Sequence, residues 1–122
     1  MAMTNATIEL KQRTKEFALR VIRLFRWLPK TEEARIMGRQ LLRSGTSVAA
    51  NYRAACRARS RVEFIAKIGL VVEEADETAF WMELLVESGT IRSARMGDIL
   101  KEANELLAIF AASQRTARSA AA

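Results

Sequence analysis

Residues 41–61 read LLRSGTSVAANYRAACRARSR. Whether this stretch is one helix or two decides the fold, and the question sits at Gly45. A glycine inside a helix costs about 1 kcal/mol relative to alanine. Against that cost stands a spacing that keeps its phase. Met37, Leu41, Ser44, Val48, Asn51 and Ala55 step by four and three residues on both sides of Gly45, which is the seam of a helix packed in a bundle. The spacing predicts one continuous helix over 31–57. Thr31 supplies an N-cap, and Glu32 and Glu33 fall in the first turn, where the helix dipole favours negative charge.

The same period continues outward. Before this helix, Leu10, Thr14, Phe17, Val21, Leu24 and Leu28 predict a first helix over 7–28. Pro29 stops it, because the residue before a proline is pushed out of helical geometry. After it, Ser60-Arg61-Val62-Glu63 has the form of a capping box. It opens a third helix over 61–87, with Phe64, Ile68, Val71, Ala75, Thr78, Met82 and Leu85 as its core stripe. Gly89 is the expected C-terminal cap. A fourth helix over 93–115 turns Ile99, Leu100, Ala103, Leu106, Leu107 and Phe110 inward, and the tail 116–122 is expected to fray. The connections are short, so the expected fold is all-α: an up-down-up-down four-helix bundle, one domain spanning 1–122.

Composition agrees and narrows the chemistry. Gly and Pro are scarce, at 5 and 1 of 122 residues, and half the chain is apolar. The apolar runs, such as IGLVV and LLAIFAA, are too short to span a membrane. The N-terminus lacks a signal pattern, so the expected location is the cytoplasm. The single cysteine, Cys56, sits among alanines and reads as a small buried thiol. There is no histidine, which removes Ser-His-Asp and Cys-His catalysis and the Glu-x-x-His motif of di-iron bundles. Glu74-x-x-Glu77 is half a metal site, but no second Glu-rich helix faces it. The expectation is a non-enzyme with no catalytic residue, no metal and no cofactor.

Charge is where the sequence is unusual. Net charge is +6. By segment it runs +5 over 1–30, +5 over 31–61, −6 over 62–90 and +2 over 91–122. On the second helix Arg35, Arg39, Arg43, Arg53 and Arg57 project onto one arc of about 80° and ~33 Å. That arc holds no carboxylate after Glu32, and five like charges in a row call for an anionic cover. Arg59 and Arg61 in the following loop, and Arg20 and Arg23 on the first helix with Lys11, Arg13, Lys15 and Arg26, extend the basic set. Beside the arc runs a row of mainly small residues that includes Gly38, Gly45, Ala49, Tyr52 and Cys56. It suits close packing, within the bundle or between copies. The outer face of the third helix interleaves Glu73, Glu74, Asp76, Glu77, Glu83 and Glu87 with Leu70, Phe80, Trp81 and Leu84. Large apolar groups among carboxylates point to an interface, with Trp81 as its anchor. The expected contact between copies therefore takes in Gly45, Ala49, Tyr52, Glu73, Glu77, Phe80, Trp81 and Leu84.

Three segments carry a resemblance. Gly45–Arg53 (GTSVAANYR), Ser60–Lys67 (SRVEFIAK) and Glu74–Leu85 (EADETAFWMELL), followed by LKEANELLAIFAAS at 100–113, resemble the four-helix-bundle proteins encoded in intervening sequences of bacterial 23S ribosomal RNA genes. One departure is Ala54, where that family often has a glutamate; its absence makes the second helix more purely basic. The resemblance implies a ring-shaped homo-oligomer, a pentamer. More distantly, the chain is similar to the accessory variability determinant of diversity-generating retroelements, a basic pentameric barrel that binds nucleic acid and a reverse transcriptase. The resemblance carries over no catalytic residue.

Two functions follow as expectations. In the first, a basic oligomer holds RNA or DNA by its phosphates through Arg35, Arg39, Arg43, Arg53, Arg57, Arg59, Arg61, Arg20 and Arg23. Base readout would be weak, since few exposed aromatics are available for stacking. In the second, the oligomer is a protein-interaction scaffold or adaptor, and the arginines pair with the acidic helix of a neighbouring subunit.

Overall fold

A computed structural model describes residues 4–121. Among them are four helices and no strand: α1 (Asn5–Trp27), α2 (Glu32–Cys56), α3 (Arg61–Glu87) and α4 (Ser93–Ala121). Each helix packs on the next in chain order, and α1 meets α4 more sparsely. The result is the four-helix bundle that the periodicity predicts.

The ends form where the local chemistry places them. Thr4, Thr31 and Ser60 each accept a hydrogen bond from the backbone N–H three residues on, satisfying a donor the helix leaves open. Glu63 reaches back past Ser60 to accept from the Arg59 N–H at 3.2 Å, which closes the α2–α3 turn. At the end of α3, Gly89 takes φ +75°, where a side chain would be strained. Its N–H donates to the Val86 carbonyl at 3.0 Å, and the Thr90 N–H to that of Leu85 at 3.1 Å. This is the paired bonding of a Schellman cap.

α2 runs unbroken through Gly45. The reason is steric. A Cβ at Gly45 would lie 2.8 Å from both γ-methyls of Val21, and one at Gly38 would lie 2.7 Å from the Leu28 Cδ1. The two glycines let α1 and α2 approach closely, and that packing offsets their poor helix propensity. Gly38 and Gly45 thus serve an α1–α2 contact inside the bundle. Within the single chain Gly45 and Tyr52, both expected at a contact between copies, face the interior. Gly45 is buried, and Tyr52 is buried with its ring 5.1 Å from that of Phe110.

The core cluster runs through all four helices, from Phe17 and Val21 through Leu41, Val48, Ile68 and Met82 to Leu106 and Phe110. Most of the stripe residues are buried; Leu10, Asn51, Phe64, Leu100 and Leu107 are only half-buried. Three buried hydroxyls need partners, and the helix supplies them. Thr14 donates to the Lys11 carbonyl, Ser44 to that of Gln40 and Thr78 to that of Glu74.

α4 does not stop at residue 115. It continues to Ala121, so the expected frayed tail is helical as far as the structure describes it; Ala122 lies outside the described residues. Alanine is the best helix former. Ala117 and Ala120 also line a groove against Phe64, Arg59 and Arg61, so the last turns are held by packing as well as by propensity.

Candidate functional site

The basic face lies on the α1–α2 pair, in two grooves at opposite ends. The first, about 730 Å³, is lined by Lys11 and Lys15 from α1 and Arg53 from α2, over a floor of Thr46, Ala49 and Ala50. The second, about 450 Å³, is lined by Arg26 at the end of α1, Lys30 in the loop after it, and Arg35 and Arg39 from the start of α2. No carboxylate lines either groove. Arg39 and Arg53 stand ~21 Å apart along α2 at 1.5 Å per residue. Small side chains on α2 keep the floor low, so the long cationic side chains form the rims. The lack of bulk between Arg43 and Arg53 has this second consequence beside helix packing.

Arg43 is paired within the chain. Its guanidinium donates to Glu74 at 3.0 and 3.3 Å and to Glu77 at 2.6 Å, across to α3. The hydrogen bonds it donates to Glu77 and then Glu74 raise the Arg43 pKa, and Arg43 in turn holds the Glu77 carboxyl below its ordinary range. The physical reason is position on the arc. Arg35 and Arg53 project to 0°, Arg39 and Arg57 to about 40°, and Arg43 to about 80°. The low-angle edge faces α1 and the high-angle edge faces α3, where the carboxylates are. The expected row of five is therefore interrupted at its centre, and Glu77 serves an intrachain bridge before any neighbour.

Arg13 is likewise committed. It binds Glu102 by two bonds of 2.8 and 2.6 Å and Glu105 at 2.9 Å, joining α1 to α4. The Glu102 carboxyl is held low, chiefly by the Arg13 hydrogen bond. Among the described residues, Arg43 and Arg13 are the only cations in ion pairs.

The other predicted arginines fall in separate places. Arg57 is the C-cap of α2, at φ −102° and ψ 8°. Arg59 and Arg61 rim the groove under the end of α4. Arg20 and Arg23 line an α1–α4 groove with Trp27, Arg95 and Asp98. That groove was not legible in the sequence, because its residues come from α1 and α4, far apart in the chain. Lys30 was also missed, since it lies in a loop where no wheel applies.

On α3, Phe80 is 51% and Leu84 36% exposed, with Leu70 at 46%. Glu73 is exposed among them. Trp81 is half-buried: its indole Nε1 donates to Glu77 at 3.3 Å, and its ring meets Phe80 edge-on at 5.0 Å. Ala49 is half-buried in the α1–α2 groove. Of the expected copy-to-copy set, Glu73, Phe80 and Leu84 present open surface, and Trp81 backs them. Cys56 is half-buried; burial holds its thiol above the usual range and, likewise, the Tyr52 phenol. No helix among the described residues is long and apolar enough to cross a membrane.

This geometry has known counterparts. A solved structure of a protein with unknown function, from the S23 ribosomal protein family of Bacteroides thetaiotaomicron VPI-5482, is similar over 89% of this chain and 97% of its own, at 33% identity and a TM-score of 0.82. No curated protein matches the chain. The family model for the 23S rRNA-intervening sequence protein matches residues 6–112. That span takes in α1, both basic grooves, the Arg43 bridge and the acidic face of α3, and on it the chain belongs to the 23S rRNA-intervening sequence protein family.

Proposed function

We propose that the protein is a non-enzymatic, cytoplasmic nucleic-acid-binding protein that holds RNA or DNA phosphates on its α1–α2 face. One observation carries this reading: Lys11, Lys15, Arg53, Arg26, Lys30, Arg35 and Arg39 rim two grooves with no carboxylate among the lining residues. A face kept for solvent or for folding would alternate signs. Each cation that neutralises a phosphate adds about 0.9 to the salt slope on a duplex. Replacing Lys11, Lys15 and Arg53 with glutamine should therefore cut the slope by about 2.7. Arg43→Gln should leave the slope nearly unchanged, since Arg43 is already paired. A salt titration of binding to a labelled structured RNA and a duplex DNA makes the test. No binding by the wild type at low salt would end this reading.

A second reading has its own observation. Leu70, Phe80 and Leu84 are exposed between carboxylates on α3. That acidic, apolar face is complementary to the basic α1–α2 face. Two different complementary faces on one chain make a head-to-tail contact, and such contacts close into rings when the rotation allows. A ring-shaped homo-oligomer, of five copies by the resemblance above, is the assembly we propose. If the arginines are consumed in that contact, the ring acts as a scaffold for a protein partner.

A further inference from the structure

We propose that Trp27 is a stacking platform for one unpaired base of a bound strand, so that the protein prefers single-stranded or looped nucleic acid to duplex. The inference rests on the phosphate-binding reading and adds the form of its ligand.

Trp27 is the last residue of α1 and is 67% exposed. It contributes little to the core, so packing does not account for a large aromatic there. The Arg95 guanidinium lies over the ring, 4.4 Å from its centroid, and the rest of the indole is open. Arg20, Arg23 and Arg95 line the groove beside it, with Asp98 as its one carboxylate. The local balance is positive, which suits a phosphate next to a stacked base. Base stacking on an aromatic, with arginine beside it, is how single strands are held without sequence readout.

Continuity with the basic face strengthens the case. Arg26 and Trp27 are adjacent in sequence, yet Arg26 lines the α1–α2 groove and Trp27 the α1–α4 groove. The end of α1 therefore joins the two grooves. A strand whose phosphates lie on Arg26, Lys30, Arg35 and Arg39 can round this end and set a base on Trp27. In a duplex the bases are stacked inside and give the indole nothing to hold.

The test compares Trp27→Ala and Trp27→Phe on an unstructured ten-nucleotide RNA and on a duplex of matched length, by fluorescence anisotropy of the labelled strand. Trp27→Ala should weaken single-strand binding about tenfold and leave duplex binding unchanged, while Trp27→Phe keeps most of the affinity. A second readout uses Trp81→Phe, in which Trp27 is the sole indole. Its fluorescence should be quenched by the single strand and not by the duplex. If Trp27→Ala binds the single strand as wild type does, or loses both ligands equally, or if the indole is not quenched, stacking is refuted while phosphate binding stands. If the wild type binds neither ligand, both readings fall together.

Discussion

At the scale of the residue, Gly45 shows how one side chain's absence is used twice. It allows the backbone of α2 to sit on Val21, and it keeps the α2 surface low where α1 approaches. A methyl group there would lie 2.8 Å from Val21, closer than side chains tolerate. Gly45→Ala should lower stability by about 1–3 kcal/mol, the usual cost of overpacking, despite alanine's better helix propensity. Val21→Ala alone should also destabilise, by opening a cavity at a fully buried site. The double variant should lose less than the sum of the two, because each relieves the other's defect. Urea denaturation of the four proteins measures this coupling. Additive losses would mean that Gly45 serves something other than contact with Val21.

At the scale of the element, two arginines tie neighbouring helices together. Arg43 joins α2 to α3, and Arg13 joins α1 to α4 along the seam where the bundle is most thinly packed. The carboxyls of Glu77 and Glu102 are both held low by these partners. A carboxyl with a depressed folded-state pKa adds stability that is present above its unfolded value, about 4.3. That stability is lost as pH falls through the folded value. Stability should therefore drop on acidification below about pH 4.3, and less so in Arg13→Gln or Arg43→Gln. Both bridges are partly open to solvent, with Arg43 50% and Arg13 36% exposed. Each should contribute no more than about 1 kcal/mol. Of the two carboxyls held low, Glu102 is 16% and Glu77 34% exposed, so Arg13→Gln should flatten the pH dependence more. Chemical denaturation at a series of pH values checks the sign and the order.

At the scale of the whole molecule, charge is separated into faces. The α1–α2 side is basic and the outer side of α3 is acidic with apolar islands. If the proposed head-to-tail assembly forms, Phe80→Asp with Leu84→Asp should reduce it to monomers, because carboxylates would replace the exposed apolar contacts. Both residues are open in the single chain, so the fold should survive. Analytical ultracentrifugation beside circular dichroism reads mass and helicity separately. An unchanged mass would remove α3 from the contact. The same variant bears on function: if monomers lose nucleic-acid affinity with α1–α2 intact, repetition of the basic face around a ring supplies part of the binding.

The four helices, the end signals at Pro29, Thr31, Ser60 and Gly89, and most of the core were legible in the amino-acid order alone. These are local or periodic properties: Thr31 and Ser60 bond within their own first turns, Pro29 and Gly89 act at their own positions, and the four-three spacing survives Gly45 because phase is carried along one chain. That two long segments are basic and one acidic was legible there too. Which neighbour each edge of a helix meets is set by the packing of the bundle. A helical projection ranks Arg35, Arg39 and Arg43 by angle but does not say that α1 lies at one edge and α3 at the other. That choice pairs Arg43 with Glu74 and Glu77 and leaves Arg39 open. It also turns Gly45 onto Val21, and it continues α4 to Ala121, where Ala117 and Ala120 line a groove against Phe64. The grooves themselves, Lys11 and Lys15 beside Arg53, and Trp27 beside Arg95, join residues far apart in the chain. Their meeting depends on the close packing of helix on helix, which no spacing along one helix encodes.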